Sequence, residues 1–233
     1  MRPTPPVVTA SRTARLAGAL HLATLPLGYF SLVYVPHVMG EGAATTRAAG
    51  DSLLRAGVAA DIAGQVLFAA AALCLFDLLR SSGQRLAALM LMLALLCVPI
   101  ACLAEVPQLA AAQLLGGAVN PSLGASTMSD EVRALLSLRM NGLQIAEVFW
   151  GLWLLPLAVL VYRSGFLPRF LAPLLVTAGI AYLVDWAVGL LRPTITLPIH
   201  HLFSLEITLP LWLLLRGINR AEWEERSGAP RTP

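Results

Sequence analysis

The run Leu86–Ala104 contains no charged side chain, and no other feature of the chain constrains its fold as strongly. Its length matches the ~20 residues that an α-helix needs to cross a hydrocarbon core. Backbone amides in that core find no water to bond, so the run must be helical. Five further stretches have a similar character: Leu16–Val35, Ser52–Leu79, Glu131–Tyr162, Leu167–Leu191 and His201–Leu215. The run from Leu86 can extend past Pro107 into Gln108–Leu115. The sequence therefore predicts an all-α fold, a polytopic membrane helix bundle of six transmembrane helices. Charged residues make up 12% of the chain. Soluble domains carry about 25%, so these charges are too few to cover a water-facing surface.

Three parts are expected: a disordered N-terminal tail (1–12), a transmembrane domain (13–217) and a cytoplasmic tail (218–233) with Trp223 as an interfacial anchor. Leu16–Val35 is too long for a signal-peptide core and no small-x-small cleavage site follows it, so it reads as a retained helix. Ser129 is the expected N-cap of the fourth helix, followed by Asp130 and Glu131 where the helix dipole favours acids. The arginines divide 11 to 5 between the two sides, with Arg139 counted among the outer five. That bias places both termini in the cytoplasm, as in a multi-pass protein of the cell membrane.

Several functions are excluded. The arginines form no basic stripe with interleaved aromatics, so nucleic acid is not an expected partner. Cys74, Cys97 and Cys102 sit in apolar runs without a CxxC and read as small buried hydrophobes. His21 is not level with His200 and His201, which leaves zinc and haem sites unsupported. Neither an HExxH nor a Gly-rich phosphate loop occurs, and no metal or cofactor is expected.

Ionisable groups inside a span are costly and therefore informative. From the rise per residue, Asp61 lies at roughly 12 Å depth, and Asp185 and Glu206 at roughly 9 Å, all from the outer side. Glu147 is expected to join them, and Glu105 to sit on the rim. The expected substrate-contacting set is Gln65, Asn141, Gln144 and Tyr182, which share helix faces with the acids, plus His200 and His201 at the outer mouth. Pro210 removes the donor that would meet the Glu206 carbonyl, as happens in sites lined by interrupted helices. The four acids are expected to surround one polar cavity. The competing reading is interhelical glue, each acid neutral and hydrogen-bonded. Asp77, three residues before Arg80, reads as a surface ion pair.

The stretch YRSGFLPRFLAPLLVTAGIAYLVD at Tyr162–Asp185 resembles the bacterial six-helix membrane proteins grouped as domain-of-unknown-function family 4386. TARLAGALHL at 13–22, RAGVAADI at 55–62 and LWLLLRGINRAEWEE at 211–225 carry the same resemblance, which is weakest over 104–135. It implies the six-helix fold and an acid at the positions of Asp61, Asp185 and Glu206. It implies no particular activity.

Three functions fit these residues. The first is a membrane enzyme acting on a lipid or isoprenoid, with Asp61, Asp185, Glu206 and Glu147 as its acid–base set. A neutral carboxylic acid in an apolar cavity donates a proton, and an ionised neighbour is a base or steadies a cation. A divalent cation on the same oxygens, holding a phosphate-bearing lipid, is a variant. The second is a proton- or cation-coupled transporter. The third is a non-catalytic subunit or sensor. Beyond the bilayer, the expected partner is a lipophilic small molecule.

Overall fold

The computed structural model describes residues 7–40, 47–117, 125–192, 194 and 199–227, and among them every regular element is helical. Helix α1 (Val7–Tyr29) passes through a π-helical turn (Phe30–Tyr34) into α2 (Val35–Gly40). Then come α3 (Arg47–Leu79), α4 (Gln84–Ala104), α5 (Val106–Leu115), α6 (Ala125–Ser164) and α7 (Leu171–Leu191). The chain ends with α8 (His200–Phe203), a 3-10 turn (Ser204–Ile207), α9 (Thr208–Leu215) and α10 (Arg220–Ser227).

Five helical stretches are long and apolar enough to cross a membrane: Val7–Met39, Ala48–Ser82, Gln84–Leu115, Asp130–Ser164 and Leu171–Leu191. Ser204–Leu215 is a shorter apolar helix, standing where the sixth span is expected. The polarity of the surface agrees with this reading. Leu191, Leu103 and Val66 are 74%, 69% and 63% exposed, whereas Asp61, Glu105, Gln108 and Arg139 are buried. A water-soluble protein has the opposite arrangement. The protein is thus a polytopic helical membrane protein.

The chain divides into two compact units. The first comprises Met1–Leu22, Phe68–Cys97 and Glu147–Pro233, and the second Ala23–Leu67 and Val98–Ala146. In the first, Leu78, Leu79, Trp153, Leu160, Leu171 and Leu175 form the centre of an apolar core. In the second, Val35, Leu54, Ala111, Ala112 and Val132 form a smaller one.

Prolines set the helix breaks. Pro107 lacks an N–H, so α4 ends at Ala104, and Glu105 closes a tighter turn through its N–H to the Cys102 carbonyl (3.2 Å). Pro36 likewise stands just after the π-helical turn. Gly165, with φ +73°, reverses the chain after α6, while Ser164 Oγ donates to the Val161 carbonyl (2.8 Å) and accepts from the Leu167 N–H (3.3 Å).

Three expectations about the helix ends require correction. Helix α1 begins at Val7, inside the stretch read as a tail. Helix α6 begins at Ala125, so Ser129 is interior to it and not its cap. Trp223 belongs to α10, is 3% exposed and packs edge-on against Phe166 (4.9 Å between centroids), which makes it a core residue and not an interfacial anchor.

Candidate functional site

The acids withdrawn from the surface fall into two groups: Asp61 and Glu105 are buried in the second unit, and Glu147, Asp185 and Glu206 are half-buried in the first. In the second unit, Arg139 lies on α6 and is 1% exposed. Its Nε donates to Glu105 Oε1 (2.8 Å), its Nη2 lies 2.7 Å from the same oxygen, and Nη2 also donates to Ser31 Oγ (2.8 Å). Two local features allow this. Gly142, one turn beyond Arg139, faces Ala104 so closely that an added methyl would come within 2.8 Å of the Ala104 Cβ, which seats α6 beside the end of α4. The π-helical turn carries Ser31, which is fully buried, and such turns recur at functional sites.

Asp61, on α3, completes this group. Its carboxyl is within hydrogen-bonding reach of Glu105 and of Gln65, one turn along the same helix. Asp61 is 4% exposed and Gln65 9%. Asp61 Oδ2, Gln65 Oε1 and Glu105 Oε2 are buried oxygens with no hydrogen-bond donor. Gln108 Nε2 donates to the Leu54 carbonyl (2.9 Å) and ties α5 to α3 within the same unit.

In the first unit, Glu147 on α6 and Asp185 on α7 bring their carboxyls within hydrogen-bonding reach. Close helix contact makes this possible. A methyl on Gly151 would lie 2.8 Å from the Gly179 carbonyl oxygen, and one on Gly179 would lie 2.9 Å from that of Gly151. Small residues of this kind let helix backbones approach in a membrane. Glu147 precedes Gly151 by one turn and Asp185 follows Gly179, so the contact aligns the two carboxyls. Nearby, Tyr182 Oη donates to Glu206 Oε1 (3.0 Å), and the Tyr182 ring stacks on Phe203 at 4.1 Å. Glu206 sits in the 3-10 turn between α8 and α9, where Pro210 was expected to interrupt the helix.

Asp185, Glu147, Glu206 and Tyr182 thus share a unit, and Tyr182 bonds Glu206 across helices. The described partners of Asp61 are Glu105, Gln65 and Arg139, all in the other unit. Glu105 is no rim residue: it is 2% exposed, and Arg139, counted among the outer arginines, is its buried partner. Gln144 is half-buried and Asn141 exposed, both on the portion of α6 that belongs to the second unit. The backbone of His200 and His201 opens α8, and their side chains lie outside the described residues. His21 is 7% exposed between Phe68 (5.8 Å) and Trp153 (6.0 Å), as a packed aromatic. Asp77 pairs with Arg80 (3.7 Å) near the surface, as expected.

No part of the sequence reading anticipated Arg139. Its partners are 34 and 108 residues away along the chain, beyond any helical periodicity. The available signal was an arginine one turn from Gly142, inside the stretch expected to form the fourth span.

Comparison with known proteins adds a family. A family model described as "Domain of unknown function (DUF4386)" matches residues 16–217. An uncharacterised protein of Archaeoglobus fulgidus is 28% identical over 80 residues, which is 34% of this chain and 49% of that protein. The chain thus spans about half the length of this curated relative. No solved structure matches.

Proposed function

The chain belongs to the DUF4386 family, and from that premise we propose that it is a multi-pass enzyme of the cell membrane acting on a lipid or isoprenoid by acid–base chemistry. The observation that carries this reading is the Glu147–Asp185 pair, two carboxyls within hydrogen-bonding reach on adjoining helices. A carboxylic acid donates a proton and a carboxylate accepts one, so two carboxyls in reach of one another can share these roles. The pair therefore offers a donor and an acceptor at one place. Glu206, oriented by the Tyr182 hydroxyl, is the third carboxyl of the set and the one to steady a developing positive charge. The bilayer supplies the substrate, a lipophilic small molecule. Asp61 is left outside this set, because its described partners are those of the second unit.

The test is the membrane lipid profile, by mass spectrometry, of cells producing the wild type or Asp185→Asn. A lipid that changes with the wild type and not with a folded Asp185→Asn supports catalysis. A normal conversion by Asp185→Asn removes the idea.

Proton- or cation-coupled transport is the second reading, favoured by the broken helix at Ser204–Ile207, because interrupted helices line ion paths. Reconstituted vesicles separate the two. Gradient-driven uptake of an unchanged lipid supports transport, and a chemically changed lipid supports catalysis.

A further inference from the structure

The group around Arg139 takes no part in the chemistry proposed above, yet its charges and its oxygens do not balance. Arg139 spends Nε and Nη2 on Glu105 Oε1 and Ser31 Oγ. Glu105 Oε2, Asp61 Oδ2 and Gln65 Oε1 remain without a donor, on side chains at least nine-tenths buried. With both carboxyls ionised, the guanidinium neutralises only one of them. A net negative charge then lies inside the span, where uncompensated charge is costly.

We propose that Asp61 and Glu105 form a proton-binding site whose two carboxyls hold one exchangeable proton between them. One proton brings the group to neutrality and supplies a donor where the stranded carboxyl oxygens have none. Gln65 accompanies Asp61 on α3 and keeps an acceptor free for the proton as it enters or leaves. The charged and titratable groups facing the pair are Arg139 from α6 and the Cys102 thiol from α4, while Ser31 on the π-helical turn is neutral. A metal ion fits less well. Hard cations take six or more oxygens, and here three oxygens lie beside a fixed positive charge.

Charge balance gives this site an unusual signature. In Asp61→Asn, ionised Glu105 already neutralises Arg139, and in Glu105→Gln, ionised Asp61 does. Either substitution alone should expel the same proton.

The experiment is infrared spectroscopy of the full chain in lipid nanodiscs at neutral pH, reading the carboxylic acid C=O band. Carboxyls elsewhere contribute a constant background. Asp61→Asn and Glu105→Gln should each lose one carboxylic acid equivalent, and the double variant should lose no more than either single one. Arg139→Gln, where it folds, should gain one equivalent. An unchanged band in both single variants, or losses that add in the double variant, overturns the proposal. So does stabilisation of the wild type by sodium or magnesium that Asp61→Asn abolishes, which would mark a metal site. None of these readouts depends on lipid turnover, so this site can fail or stand apart from the enzymatic reading.

Discussion

Two groups of carboxyls, buried in the second unit and half-buried in the first, are balanced differently. In the second unit a guanidinium holds Glu105 from one side while Asp61 faces it from the other. In the first unit Glu147 meets another carboxyl, and Glu206 accepts from a neutral phenol. A glycine contact aligns each group: Gly142 on Ala104 in one, Gly151 on Gly179 in the other. Similar packing therefore serves opposite electrostatics. Where a cation is buried, removing it leaves two acids that must take up a further proton. Where two half-buried acids meet with no described cation between them, replacing one by an amide removes their repulsion. Stability and activity should separate along this line.

The largest effect should come from Arg139→Gln. Breaking a buried ion pair costs about 3–5 kcal/mol, because the surviving acid must hold a buried charge or take up a proton to shed it. Denaturant unfolding of the solubilised protein should show a loss of this order, and a loss under about 1 kcal/mol would place the pair in contact with water. Next comes Gly151→Val, which forces a side chain into the Gly179 backbone. Overpacking of this kind costs about 1–3 kcal/mol, and the displaced helices should also abolish any turnover, as lipid mass spectrometry would read. Tyr182→Phe removes one hydrogen bond to Glu206, a loss of about 1 kcal/mol in the same unfolding assay. The smallest change should follow Asp77→Asn. The Asp77 side chain is 61% exposed in its pair with Arg80. Exposed pairs contribute below about 1 kcal/mol, so no resolvable shift is expected.

The membrane character was legible at once, because span length and the absence of charge are properties of contiguous residues. The breaks were legible for a related reason: Pro107 and Pro210 act on the turn before them, and Glu105 and Glu206 lie at the resulting interruptions. Grouping the acids was harder. Depth along a helix can be counted from one end, but it does not say which helix a side chain faces. Asp61, Asp185 and Glu206 have similar counted depths, yet Asp61 finds its described partners in a different unit from the others. Arg139 was counted by its charge among the outer-side arginines, although it lies within the expected fourth helix, and no buried role was foreseen for it. Only the fold, which brings Ser31 and Glu105 to the guanidinium, explains how it can be buried. The capping signal at Ser129 misled for a local reason: α6 continues four residues further toward its N-terminus, to Ala125.

The contrast between the groups is tested most directly by unfolding Asp185→Asn and Arg139→Gln side by side in one detergent, with lipid conversion measured on each. Asp185→Asn should unfold at the wild-type denaturant concentration or above it while losing conversion, and Arg139→Gln should unfold at a much lower concentration. Equal destabilisation of the two, with conversion falling only in proportion to folded protein, would mean that the first unit's acids are interhelical glue and perform no chemistry.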